Sequence, residues 1–547
     1  MALGTAQALA CEDITTEVFG YLEDGGRGTL ASAARVSRTL SHPALAALWR
    51  RQNNILFLFR VVPTFHRDEA SNTHIFGADP TKEEWERFMS YARLVRKLDA
   101  LAVRRIHSAA WNSVTQYVGH MPLFPHLRRL RRLRVDADLP AESLHHILPP
   151  TLRHVHLIPG DGVQGVLGRV VLSRLMHVHE FTIACPRLGK DDEPREIPFW
   201  TFANMRALAV QDVDLTPEKM RGLAALPHLR SLKMEVRSFT NGRMEAPPYV
   251  FLPLDTLKLK WKASLGDIRA FITSTSFPQL MVVNLITTRA AQDDGVYTII
   301  RAALSKLVRG CSHSLRALSF VLDDDSSTGM SDLDGIFDVV VEELMQCSCL
   351  HTLELSIYVP SALGMSLRVY DRDIRRITSS WPALRTLVLN VKWSYREADS
   401  VLQHFPDDDP PPTVHTLAKF AQAHSQLKHL RLPYVCIPDD MVGDDGDTLL
   451  LDSLPVLDHG LETLWLTKWG VLKLASTDTD ESTLDQQAQA MKKYQQPVFE
   501  FAYLLDRLFP HLHATREVNL KRSWDPNIMK PMMSTVNRGA DLPSCGI

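Results

Sequence analysis

Cysteine is scarce: there are seven in 547 residues, an odd number at irregular spacing (Cys11, Cys185, Cys311, Cys347, Cys349, Cys436, Cys545). A disulfide framework is thereby excluded as the organising device, and an intracellular location, cytoplasmic or nuclear, is expected. Long apolar runs are missing too. The longest, residues 55–63, is broken by Arg60 and falls short of the ~18 residues a membrane span needs. Residues 1–10 hold no basic stretch followed by an apolar one, so a secretory signal is not expected. Neither sign of charge is in excess, with 61 Lys plus Arg against 63 Asp plus Glu. The chain as a whole has no electrostatic reason to seek nucleic acid or an anionic membrane, which leaves protein as the expected partner.

Signatures of chemistry are equally thin. No H-E-x-x-H, P-loop, G-x-S-x-G or kinase signature set occurs. Gly160-Asp161-Gly162-Val163-Gln164-Gly165 spells G-x-G-x-x-G, but the segment before it carries Arg153, His154 and His156, unlike the buried strand of a dinucleotide fold. His154 with His156, His177 with His179, and Cys347 with Cys349 each lack a second pair at zinc-site spacing. Acidic stretches at 323–327, 407–409 and 439–447 read as solvated loops, and the last lacks the ligand spacing of an EF-hand. No catalytic residue, no metal and no cofactor is expected, and the chain reads as a binding protein rather than an enzyme.

What is present is repetition. The pattern L-x-x-L-x-L, with Leu, Ile, Val, Met or Phe at the apolar positions, starts at Leu130, Leu152, Val178, Met205, Leu229, Leu254 and Leu280. It continues at Leu315, Leu350, Leu384, Leu427, Leu461 and, degenerately, Thr515. Starts fall 22 to 27 residues apart in the first half, inside the leucine-rich range, and 34 to 54 apart in the second, where loops are inserted. Each copy predicts a short strand with apolar side chains alternating inward. Between copies lie helical spacings such as residues 216–226, with Thr216 as cap and Met220, Leu223 and Leu226 on one face. Proline before several copies, as in Leu226-Pro227-His228-Leu229 and Trp381-Pro382-Ala383-Leu384, ends the helix and turns the chain back. One unit cannot bury its apolar face alone, so the units are expected to stack as an α/β leucine-rich-repeat solenoid, a curved parallel sheet on the concave face with helices outside.

The solvent-facing positions of such strands are candidate target contacts. They give Arg132, Arg134, His154, His156, Lys233, Lys258, His429 and Arg431, a row that leans basic, together with Trp465, a residue type enriched at binding hot spots. Trp261, Trp393 and Trp469 fall just past strand ends; packing is the expected role of the first two. If the basic rows are exposed, the target segment should be acidic or phosphorylated.

Ahead of the repeats, residues 12–22 read as an amphipathic helix with Ile14, Val18 and Leu22 aligned and Phe19 and Tyr21 flanking. A turn at Gly25-Gly26-Arg27-Gly28 ends it, residues 30–40 give a second helix, and Ser41-His42-Pro43 starts a third that closes with Leu45, Leu48 and Trp49. Val36-Ser37-Arg38 followed by Pro43-Ala44-Leu45 and Leu48-Trp49-Arg50 resembles the F-box of fungal proteins that join it to leucine-rich repeats. Ala10-Cys11 stands where that family opens on Leu-Pro. The resemblance covers roughly residues 10–51. It implies docking to a Skp-family linker, and through it to a cullin-RING ubiquitin ligase, by Ile14, Val18, Phe19, Leu22, Leu30, Val36, Leu45 and Trp49. It thus implies an SCF substrate adaptor that captures an unidentified protein target, with no nucleic acid and no membrane partner. A plain helical cap on a scaffold or inhibitor, and a small-molecule-sensing receptor, are the alternatives. Residues 81–98, opened by the capping box Thr81-x-x-Glu84, are expected to weld module to repeats. The expected organisation is a helical module at 1–60, a linker and joining helix at 61–100, the repeats at 101–525 and a tail at 526–547.

Overall fold

A computed structural model describes residues 11–22, 26–100, 105–119, 121–135, 141–159, 174–184, 201–240, 248–262, 264–287, 296–323, 336–358, 369–392, 409–437, 455, 457, 459–471, 505 and 507–509. The G-x-G-x-x-G stretch, Ala10, Trp393, the copy at Thr515, the tail at 526–547 and almost all of the acidic inserts lie outside the described residues. The chain divides into two units, Met1–Glu235 and Val236–Ile547. Among the described residues fourteen strands make a parallel sheet, and their order in it is the order of the sequence.

Alternation of apolar and polar residues gives each strand one face to bury. In Thr256–Trp261 the buried side chains are Leu257, Leu259 and Trp261, while Lys258 and Lys260 are exposed. The second unit keeps this register without a slip. Leu257, Val283, Leu318 and Leu353 stand in one inward row that continues through Leu387, Leu430 and Leu464. Helices Leu265–Thr273, Val296–Cys311, Ile336–Leu344, Asp371–Ser380 and Val414–Ala423 return the chain between strands. Arg301 bridges two of them, 2.9 Å from Glu342 and 3.2 Å from Glu343.

The first unit begins with three helices, α1 (Glu12–Gly20), α2 (Arg27–Val36) and α3 (Arg38–Arg50). The third starts earlier than residue 41, because the Ser37 side chain accepts the Leu40 N–H and caps it, leaving Pro43 inside the helix. Helix α3 then runs straight into the strand Arg51–Gln52, which pairs with Lys97–Leu98, and that with Arg129–Val135. The sheet therefore starts at residue 51, ahead of any clear repeat copy. The remaining strands of this unit are His154–Pro159, Glu180–Ile183, Ala207–Leu215 and the start of Ser231–Phe239.

Register corrects one boundary. Leu130 faces Val155, the fourth position of its repeat, so the copy begins at Leu127 rather than Leu130. Leu133 then meets Leu157, because the register shifts between Leu130 and Leu133, and Arg132 takes up the slack at φ 47°. By the same alignment Val95 and Leu98 belong to an earlier rung rather than to the joining helix, which spans Lys82–Ala92 behind the expected Thr81–Glu84 box.

Aromatic packing fixes this end of the unit. Phe59 has no exposed surface and lies 5.1 Å from Phe65, 5.2 Å from Phe88 and 6.0 Å from Phe76 and Trp111, ring centre to ring centre. Phe65 and Phe76 come from an antiparallel hairpin, Phe65–Asp68 with Thr73–Phe76, inside the stretch expected to be a linker. Trp49 of α3 lies 4.9 Å from Tyr91 of the joining helix. Arg27 donates to the Arg51 carbonyl at 3.1 Å and to Gln52 Oε1 at 3.2 Å, and Arg51 pairs with Asp99 at 3.1 Å. These contacts tie the helices to the first two rungs.

In the second unit Asp373 is 1% exposed and accepts the Tyr370 N–H at 2.8 Å. Burial pushes its carboxyl up to about 6, against the Tyr370 hydrogen bond and with the help of the Asp338 charge. The ordinary carboxylate of the unfolded chain titrates near 3.8. Between those two values the native state holds a proton that the unfolded chain has lost, so this group lowers stability as pH rises from about 4 to 6 and is flat above. Asp373→Asn keeps an acceptor for Tyr370 and removes the titration. Its melting temperature should exceed that of the parent at pH 7.5 and match it more closely near pH 4; equal offsets at both values would refute the assignment.

Candidate protein-docking surfaces

The core of the helical module is made by Phe19, Leu30, Ala44 and Ala47, with Leu22, Leu40 and Leu48 packed against them. Phe19 and Leu30 thereby leave the expected docking set, since at 8% and 0% exposure they have nothing to offer a partner. The reason is a rotation of α1. Thr15 and Phe19, four residues apart, point inward, and the Thr15 hydroxyl is satisfied by the Cys11 carbonyl at 3.1 Å. Ile14 and Val18 therefore face solvent, 47% and 54% exposed. Val36 is 74% exposed, while Leu22, Leu45 and Trp49 are half-buried. Tyr21, 82% exposed and seven residues after Ile14, was not among the expected contacts. Its spacing of three from Val18 was the available signal.

The outward positions of the strands hold most of the residues expected there. In the first unit His154 and His156 are half-buried, and Arg132, Arg134 and Lys233 are exposed. Arg134, however, stands opposite Ile158, whereas Arg129 stands opposite His154. Arg129 is the member of that row and Arg134 is not. His154 Nδ1 lies 2.7 Å from Glu180, and burial followed by the Arg132 and Arg131 charges lowers the His156 pKa, so His156 is neutral at pH 7.

In the second unit Lys258 is exposed. His429 Nδ1 lies 2.8 Å from the Thr463 hydroxyl, and the Arg431 guanidinium sits 4.2 Å from the Trp465 ring centre. Arg431 and Trp465 thus form one cation–π pair rather than two separate contacts. Trp261 is core, 1% exposed and 5.6 Å from Phe271. The backbone of Trp469 lies in the strand Thr463–Val471.

Reactive groups are muted. Burial pushes the thiols of Cys311 and Cys436 up to about 12 and that of Cys347 up to about 11, so none is a thiolate nucleophile at pH 7. Among the described residues no group of three or more His, Cys, Asp or Glu is placed to hold a metal ion, and no helix is long and apolar enough to cross a membrane.

No family model and no curated protein matches the chain. Among solved structures, an internalin from Listeria monocytogenes aligns over 72% of this chain and 89% of its own, at 12% identity and a TM-score of 0.32. The Rad7 and Elc1 complex of yeast aligns over 73% and 96%, at 12% identity and a TM-score of 0.32. TLR13 in its complex with ssRNA13 aligns over 70% and 40%, at 11% identity and a TM-score of 0.27. By its own strand register and burial, the chain carries a parallel α/β leucine-rich-repeat fold led by a module of three helices.

Proposed function

We propose that the protein is the substrate-recognition subunit of an intracellular SCF-type ubiquitin ligase. In this reading the helical module docks a Skp-family linker, the repeats hold a protein target, and other subunits perform the transfer. One observation carries it: Ile14, Val18, Tyr21 and Val36 stay exposed on a module whose own core is already filled. A helical cap on a scaffold would turn those residues onto the repeats, so their exposure speaks against that alternative. The ties from Arg27 and Trp49 to the first rungs and the joining helix suit an adaptor, which has to hold its target at a fixed distance and direction from the transferring partner.

The test is affinity purification of the full chain from cells, with the linker and cullin scored by mass spectrometry. Recovery of both is the expected result. Their absence from folded, well-expressed protein would return the chain to the scaffold reading.

A further inference from the structure

The repeats of the first unit share a feature that burial does not require. The second position of each copy, just ahead of the strand, is held by Arg50, Arg96, Arg128, Arg153, Arg206 and Arg230, with His179 between Arg153 and Arg206. Each backbone N–H in this series donates to the carbonyl of the residue one rung earlier, from Arg96 on Arg50 to Arg230 on Arg206, at 2.7 to 2.8 Å. Seven basic side chains therefore emerge in single file, ~4.8 Å from rung to rung and about 29 Å from end to end. The fold does not demand a base there: in the second unit the same series of bonds runs through Asp255, Met281, Arg316, His351, Arg385, Lys428 and Glu462, where an acid stands at each end and Met281 breaks the row, whereas in the first unit no acid interrupts it.

The file begins in a cleft. About 480 Å³ in volume, it is walled by Arg50, Arg96, Lys97, Arg128, Arg129 and His154 over an apolar floor of Ala46, Ala47 and Leu94. Among the described residues no carboxylate lines it. Of the acids nearby, Asp99 pairs with Arg51 at 3.1 Å and lies 4.0 Å from Arg131, and Glu180 meets the cleft only at His154, 2.7 Å away. Burial and then the charges of Arg128 and Arg50 lower the Arg96 pKa, and burial and then Arg153 and Arg206 lower that of His179. The guanidinium groups of Arg50, Arg96 and Arg128 thus stand close enough to oppose one another at the head of the file, an opposition that an incoming anion relieves.

We propose that cleft and file together form a docking groove for a strongly acidic, Asp/Glu-rich segment of the captured protein. This names the partner chemistry of the repeats and so rests on their reading as a capture surface. The length favours a polypeptide, because a file of about 29 Å spans roughly nine extended residues at ~3.3 Å each, far beyond a small anion. Six of the seven rungs are Arg, whose planar fork grips a carboxylate with two hydrogen bonds. Single-stranded nucleic acid fits less well, since none of the described cleft-lining residues is an aromatic that could stack on a base.

The test uses the full chain and a fluorescein-labelled twelve-residue peptide of alternating Asp and Glu, read by fluorescence anisotropy at two salt concentrations. A twelve-nucleotide single-stranded DNA serves as a second probe. The expected result is saturable, salt-sensitive peptide binding, at least tenfold weaker in Arg96→Glu/Arg128→Glu and in Arg206→Glu/Arg230→Glu, and at least tenfold weaker for the DNA. Arg206 and Arg230 are exposed, so the second pair decides the matter should the first misfold. No binding by the parent chain, unchanged binding in the Arg206/Arg230 pair, or equal binding of DNA would overturn the proposal. Linker capture is measured on the same preparations: peptide binding without linker capture keeps the groove and removes the ligase reading, and the converse removes the groove alone.

Discussion

Ile14→Glu together with Val18→Glu should weaken capture of a purified Skp-family linker by two orders of magnitude or more, while the melting temperature stays within a few degrees of the parent. The two side chains lie one turn apart on α1 and are 47% and 54% exposed, so neither contributes much to the module's own core. Burying one such side chain in an interface is worth ~1.5 kcal/mol or more. Two of them, at ~1.4 kcal/mol per tenfold, account for about a hundredfold before the penalty for burying two carboxylates is counted. Calorimetric titration of linker into each protein reads this directly. Parent-like affinity in the double variant would show that α1 does not face the linker. A large loss of melting temperature would show instead that this face is packed against the rest of the chain, as the scaffold reading requires.

Phe59→Ala should cost ~3 to 5 kcal/mol, as expected for an aromatic core truncation whose surroundings cannot collapse. Phe59 is the hub of its cluster, with Phe65 and Phe76 from the hairpin, Phe88 from the joining helix and Trp111 from Ser108–Val118 all around it. Four separate backbone segments would have to move to fill the void. Urea unfolding followed by circular dichroism measures it, as a lower midpoint for the transition of this unit. A loss below ~1 kcal/mol would mean that the cluster relaxes freely and that the joint beneath the helices is soft.

The repeats were legible in the sequence because a strand buried on one face has to alternate, as Thr256–Trp261 and Val282–Thr287 do along their whole length and His429–Ile437 does over its first four residues. Reading failed where the pattern is carried by something other than apolar residues. Gln52 stands at the inward position opposite Leu98 and is satisfied by Arg27 and by the Leu48 carbonyl, so the first rung has no Leu to announce it. Leu127, Leu130 and Leu133 are spaced by threes, and the shift at Arg132 that restores the register is a backbone event without a side-chain signature. On α1 the inward Thr15 disguised the core face, which moved Phe19 from the surface to the interior and left Tyr21, noted only as a flanking residue, out of the docking set. The basic file is visible in the sequence only once the rungs are aligned, because Arg50 and Arg96 precede the first recognisable copy.

The strand Arg51–Gln52 closes its sheet at the end where the chain enters it, and it is two residues long. Parallel sheets end in rows of unpaired peptide groups, and a long, flat edge of that kind recruits further chains. Here the edge offers almost nothing to copy: one of its two residues is a charged arginine engaged with Asp99, and the strand emerges from α3 with no intervening loop. The helices are in this sense a stop against polymerisation, whether or not they also serve as the proposed dock. A truncated chain lacking them would lose both at once, and clumping of such a fragment would report on the uncovered edge rather than on what the helices bind.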